Sequence, residues 1–325
     1  MKTANNAPYG TMPPSLFSRD RLSFELGTVL LSTLALIVLC MIFAPSSITS
    51  GALAGSLPFA AVAVIVSLGQ MLVVQQGGFD LSVPGAISLA VVISTHYPAG
   101  NDAELLPAVL LALTFALGAG LFNGILIGVV RLNAIVATIG TNALLYGGVI
   151  AISGGVPRTT TPLLSRIAGG EFLGLGYTVW YALAIVLLVS IVLKKTVAGR
   201  RYEGIGANPA MARTVGLRVR SYEISAYVSA QLLYCLAGIL LAGLTSQPTA
   251  FLGNSYLLPS VAIVVLGGTS LMGGRGFPVP TALAAFFLTQ LGQFSITIGV
   301  PFSAQTIIQA LALGLGIAIY SFRRN

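Results

Sequence analysis

The chain has 325 residues, a mean hydropathy of +0.94, 56% hydrophobic residues and only 7% charged ones, too little polar surface for a water-soluble domain of this length. It therefore belongs in lipid. A net charge of +8 suits a nucleic-acid partner only when the basic residues cluster with aromatics on one solvent-facing surface, and here they sit between apolar runs. Cys40 and Cys235 lie inside apolar stretches with no His/Cys cluster near them, which indicates neither a disulfide framework nor a metal site; helix packing is their expected role.

From the N-terminus, residues 1–25 read as a polar tail carrying Lys2, Arg19 and Arg21. The apolar run 26–44 is too long for the core of a signal peptide and lacks a clear small-residue cleavage site, so it is read as the first span. Further runs follow at 53–75, 83–97, 105–130, 134–152, 175–193, 222–245, 257–271, 279–298 and 303–321. A bilayer core about 30 Å thick takes about 20 residues of helix, so the chain is expected to be an all-α, polytopic transmembrane helix bundle of about ten spans. The third and eighth runs are short and edged by Gly and Pro, which makes either a candidate partial or re-entrant helix. The transmembrane domain is taken as 26–321, with a long polar loop at 194–221 and a tail at 322–325.

Threading ten spans with the N-terminus inside puts Lys2, Arg19, Arg21, Arg131, Lys194, Lys195, Arg200, Arg201, Arg213, Arg218, Arg220, Arg275, Arg323 and Arg324 on the cytoplasmic side, and only Arg158 and Arg166 outside. The positive-inside rule thus predicts that both termini are cytoplasmic. Tyr177, Trp180 and Tyr181 then open the sixth span at the outer interface, where amphipathic rings settle as anchors.

On this threading each of the acids Asp20, Glu25, Asp80, Asp102, Glu104, Glu171, Glu203 and Glu223 falls in a loop or at a helix end, and none is expected mid-membrane. A proton- or sodium-driven carrier commonly holds its coupling ion on such a mid-membrane group, and His96 lies near an outer helix end. No convergent nucleophile, base or ligand set points to an enzyme, and no cofactor is expected. The three lysines Lys2, Lys194 and Lys195 do not follow glycines, so a phosphate-cradling GxxxxGK[ST] loop is absent and any ATP hydrolysis belongs to a separate subunit. A pore, a passive carrier, or a permease powered by a docked partner remains.

The 194–221 loop contains a punctuated short helix: Asn208 as N-cap, Pro209 in the first turn, Gly216 as the stop. Two turns of helix are marginal alone in water, and the small residues Ala210 and Ala212 would let the segment sit in a groove, that of an ATPase for example. An interfacial helix held to anionic lipid by Arg213, Arg218 and Arg220 is the other reading. In Gly77-Gly-Phe-Asp-Leu-Ser-Val-Pro the glycines permit a tight reversal, while Asp80 or Ser82 could cap the next helix; a structural turn and a gate hinge or ATPase contact are both open. Gly267, Gly268, Gly273, Gly274 and Gly276 similarly allow either a break that lines the path or dense helix packing. Uncharged polar residues inside spans, namely Gln70, Asn123, Thr138, Asn142, Gln290, Gln293 and Gln305, are candidates for a path suited to a neutral hydroxylated solute, with inter-helix adhesion as the alternative.

Three stretches together resemble one family. Gly199-Arg-Arg-Tyr-Glu-Gly-Ile-Gly-Ala-Asn-Pro-Ala-Met-Ala-Arg-Thr-Val-Gly-Leu, Gly77-Gly-Phe-Asp-Leu-Ser-Val and Val265-Leu-Gly-Gly-Thr-Ser-Leu-Met-Gly-Gly-Arg-Gly resemble, in order and spacing, motifs of the ribose-type sugar permeases of ATP-binding cassette importers. The chain departs from that pattern at Pro84, where the family usually has glycine, and at Tyr256-Leu-Leu-Pro-Ser, where it usually has Glu-Leu. The resemblance implies a permease subunit in the bacterial cytoplasmic membrane that pairs with a second permease, identical or not, above two ATPase subunits, with a periplasmic or lipid-anchored sugar-binding protein outside. It further implies that 208–216 is the coupling helix, with Glu203, Gly206, Asn208, Pro209, Ala210, Ala212, Arg213 and Gly216 as the coupling set. A stand-alone facilitator or secondary carrier, and a same-family permease for a polyol, nucleoside or amino acid, are the competing readings.

Overall fold

The computed structural model describes residues 19–301 and, beyond them, only residues 304, 307 and 311; apart from those three, the tenth apolar run, Gln305 included, lies outside the described residues. Twelve α-helices are present among the described residues: α1 Arg19–Phe43, α2 Ser50–Gln75, α3 Val83–His96, α4 Leu105–Gly128, α5 Ala134–Ser153, α6 Pro162–Gly169, α7 Tyr177–Lys195, α8 Val197–Ala207, α9 Pro209–Thr214, α10 Val219–Leu244, α11 Leu257–Leu266 and α12 Pro278–Thr297. Seven of the helical segments are long and apolar enough to cross a membrane, while α3 and the Leu252–Leu266 segment are apolar but shorter. The chain is thus a polytopic helical bundle.

The centre is built on α2 and α10, each 26 residues and so about 39 Å long. From Ala60 to Gln75 every residue of α2 is buried. Close packing comes from small residues: a Cβ on Gly120 of α4 would lie 2.6 Å from Val228 Cα, and one on Gly238 of α10 would lie 2.6 Å from Ile87 O. Without a hydrophobic force between helices in lipid, such close backbone approach is what dispersion needs. Peripheral helices keep apolar residues on the outside, as Leu183, Leu187 and Leu188 of α7 do.

The two ends of the bundle differ. One gathers α8, α9, the 267–277 loop and the α4–α5 turn, where Arg131 pairs with Glu223 at 3.1 Å; this is the basic end. The other holds α6, the two-stranded hairpin Glu171–Phe172/Leu175–Gly176, and the Arg166–Asp102 pair at 3.8 Å. There Trp180 Nε1 donates to Phe172 O and Tyr181 Oη to Ile167 O, so the expected interface aromatics also tie the hairpin and α6 to α7.

The 194–221 segment differs from the sequence expectation of one short helix. It folds as two, α8 and α9, because α8 docks on the end of α2. Tertiary contact stabilises a sequence whose three glycines, Gly199, Gly204 and Gly206, each cost a helix roughly 1 kcal/mol against alanine.

Candidate functional site

After α2 the chain reverses at Gly77, whose φ of 78° is in the left-handed region, and returns into the bundle before α3 starts. The return carries Asp80 and Ser82 to full burial, 0% exposed each. Asp80 Oδ1 accepts from the Ser82 amide (2.8 Å) and hydroxyl, and Oδ2 accepts from Gln231 Nε2 at 3.1 Å. The Ser82 oxygen in turn accepts from Gln231 Nε2 (2.7 Å) and Asn123 Nδ2 (3.1 Å), while Asn123 Oδ1 accepts from Thr141 Oγ1. Helix α3 therefore begins inside the protein, where its first N–H groups have no intrahelical partner. Side chains of α5 replace water there: Leu81 N donates to Thr138 Oγ1 at 3.0 Å and Gly85 N to Asn142 Oδ1 at 2.8 Å.

This geometry corrects two expectations. Gln231 stands at the midpoint of the Val219–Leu244 helix, so the acid it binds is at mid-bundle depth rather than at a membrane edge. The apolar runs located the loop, but only the inward return of 76–82 sets its depth. Nor does Asp80 or Ser82 cap α3 through its side chain; Ser82 occupies the N-cap position, and both side chains are consumed by the polar cluster. Among the described residues the carboxylate has three donors but no basic hydrogen-bond partner, a costly arrangement at this depth.

The three matched stretches converge at the basic end of α2. Gln75 and Gly274 exchange a pair of bonds, Gly274 N to Gln75 O at 2.8 Å and Gln75 Nε2 to Gly274 O at 3.1 Å. From α8, Tyr202 Oη donates to Leu72 O at 2.6 Å, and Tyr202 O accepts from Gln76 Nε2 at 2.8 Å. Gly206 sits so close that a Cβ would lie 2.0 Å from Gln75 O, and a Cβ on Gly273 would lie 2.5 Å from Gly206 O. Gly267 abuts Thr281 of α12, Gly268 abuts the Glu25 carboxylate, and Gly78 abuts Tyr227 Oη.

In α9, Asn208 caps as expected, its Oδ1 accepting from Met211 N at 3.0 Å, and Gly216 follows the helix with φ 78°. Ala212 is packed inside the chain against Ile205 and Val219, so of the two alanines expected to fit a partner's groove only Ala210 is exposed; Pro209 is half-buried and Arg213 exposed. Glu203 lies 4.0 Å from Lys194. Beside α9 an open cleft of about 580 Å³ is lined by Arg131, Arg213, Arg218 and Arg220.

The expected path residues do not share one surface. Asn123, Thr138 and Asn142 surround the start of α3; Gln70 accepts from Tyr234 Oη at 2.9 Å; Gln290 donates to Ser47 O at 3.1 Å; Gln293 is half-buried on α12. Gln231, which joins Asp80 to Ser82, was missed although a lone amide inside the 222–245 run was a legible signal.

A bundle of apolar helices with a buried polar break and a helical pair docked on one end is an architecture that suits a membrane permease. The chain belongs to the family described as branched-chain amino acid transport system / permease component, which matches residues 52–317. It is 32% identical over 297 residues to the ribose import permease protein RbsC of Escherichia coli, covering 89% of this chain and 92% of the relative. It is 29% identical over 322 residues to the probable ABC transporter permease protein y4mJ of Sinorhizobium fredii (97% and 96% covered), and 30% identical over 266 residues to the autoinducer 2 import system permease protein LsrC of Salmonella paratyphi B (81% and 76%). No solved structure matches the chain significantly.

Proposed function

We propose that this chain is the membrane-spanning subunit of an ATP-driven importer for a small neutral sugar in the bacterial cytoplasmic membrane. On this reading it has ten spans and both termini in the cytoplasm, with the basic end facing inward by the positive-inside rule. It works with a second permease, a separate ATPase and an external sugar-binding protein. The relatives' names support the solute class, one being a ribose permease and another an autoinducer 2 permease.

The observation that carries the reading is the two-faced docking of α9. Its inner side is held through Ala212 against Ile205 of α8, while Met211 and Val215 are 64% and 69% exposed at the basic end, where a partner would cover them. A push on α9 passes to α8, through Tyr202 and Gly206 to the end of α2, and from there to the 76–82 return that anchors α3. Asp80 itself has no exposed face, so in this conformation its part is to hold that return rather than to touch a partner. Apart from Asp80, the polar side chains around the start of α3 (Asn123, Thr138, Thr141, Asn142 and Gln231) are uncharged, which suits a hydroxylated solute better than a charged one.

Reconstitution of the chain in liposomes with its ATPase and binding protein tests this. Solute uptake is expected only with ATP and all components present. Uptake by the chain alone would make it a facilitator and leave α9 without a role.

A further inference from the structure

The face formed by α5 and the 3-10 turn Leu252–Tyr256 is incompatible with lipid contact. Tyr146 stands about 4 Å from the midpoint of the Ala134–Ser153 helix and about 12 Å beyond Thr138, which bonds the mid-bundle return at Leu81, so it lies within the outer half of a hydrocarbon core about 30 Å thick. Its hydroxyl donates to Asn254 Oδ1, and its ring meets that of Phe251 edge to face with centroids 5.3 Å apart. A second contact sets the depth of the turn: Gly253 N donates to Ser88 Oγ at 3.1 Å, in the first half of α3, and α3 itself starts level with the midpoint of α10. Yet Asn254 and Ser255 are exposed, and Phe251 is 37% exposed. Amide, hydroxyl and irregular backbone do not face acyl chains at this depth; they face protein or water.

We propose that Tyr146, Phe251 and Asn254 form a contact for a polyhydroxylated solute on a water-filled route. The inference rests on the permease reading and adds a recognition element to it. Aromatic edges and faces cover the C–H surface of a sugar ring, while an amide offers both a donor and an acceptor to hydroxyls. Asn254 Oδ1 is taken by Tyr146, but no described residue accepts from its Nδ2. Asn142, one turn before Tyr146 on α5, is half-buried; its Oδ1 accepts from Gly85 N, so it adds only its Nδ2 donor to the same side of the helix. The set carries no charge.

The test uses the assembled transporter, with ATPase and binding protein, in liposomes. Asn254→Cys is exposed to a water-soluble methanethiosulfonate and, separately, to a lipid-soluble maleimide; the native Cys40 and Cys235 are 0% and 1% exposed and give little background. Modification by the water-soluble reagent is expected. Modification only by the lipid-soluble reagent, or by neither because a second copy covers the site, overturns the proposal. Ser255→Cys serves if the first variant does not assemble.

A second arm measures ATP-driven uptake from a panel of D-ribose, D-xylose, D-galactose and myo-inositol. Asn254→Leu is expected to lower uptake of whichever solute the unaltered transporter accepts at least tenfold, with binding-protein-stimulated ATP hydrolysis within twofold. Unchanged uptake overturns the solute contact. An unaltered transporter that takes up none of the panel with ATP defeats the sugar assignment of the proposed function instead, while the thiol result still judges whether the face meets water.

Discussion

Helices α2 and α7 are both apolar enough to cross a membrane, yet 83% of the most apolar window of α2 is buried in the bundle against 22% of that of α7. Hydropathy therefore does not distinguish a helix solvated by protein from one solvated by lipid. In this pair, glycine and polar residues do. Helix α2 carries Gly69 against Tyr234, Gln70 bonded to the same tyrosine, and Gln75 bonded to Gly274, whereas α7 between Ala182 and Leu193 has only aliphatic side chains and Ser190. Burial in protein demands complementary shape and satisfied polar groups, and lipid demands neither.

The sharpest way to break this comparison is Gly206→Val, which drives a side chain into the Gln75 carbonyl at the end of α2. Such overpacking against backbone is expected to cost about 3 kcal/mol, read as a lowered thermal unfolding midpoint in detergent together with loss of ATP-driven uptake. A loss below about 1 kcal/mol would show that the α2 end is not rigidly packed.

Next in size is Asp80→Ala, which strips the acceptor from three buried donors, with an expected loss of about 1–3 kcal/mol. Asp80→Asn keeps the shape and is expected to lose less. If the two variants unfolded alike, the hydrogen-bond account of the α2–α3 return would be wrong.

A smaller stability effect separates structure from coupling. Asn208→Leu removes the α9 cap, worth about 1 kcal/mol, and is expected to leave ATP hydrolysis running while uptake falls about tenfold; Gly216→Leu is expected to do the same. Normal uptake by both would remove α9 from the coupling route.

The least effect belongs to α7. Leu187 is 61% exposed, and Leu187→Ala is expected to change unfolding by less than about 0.5 kcal/mol. A larger shift would mean that this face is covered by another subunit.

Much of the fold was legible. The apolar runs matched helices to within a few residues along most of the chain, and the short third and eighth runs became the 14-residue α3 and the 10-residue α11. Punctuation by Asn208, Pro209 and Gly216 located α9 because capping is local chemistry. Helix α8 escaped because Gly199 and Gly206 depress local propensity for the same reason they are needed: each lies against backbone that a side chain would strike. The candidate site was legible as three motifs, 77–83, 199–217 and 265–276, but not as one place.

From the sequence alone came the lipid environment, the helical class, the absence of a phosphate-cradling loop and the family likeness. The first three follow from composition, period and short-range spacing, which act over one or two helical turns; the likeness rests on three motifs resembling those of the family in their order along the chain. Only the tertiary structure decided the depth of Asp80, the partners of Gln231, the joining of Gln75 to Gly206 and Gly274, and the exposure of Asn254 beside Tyr146. Each of these joins residues far apart in the chain, and an apolar run contains no information about which neighbour will face it.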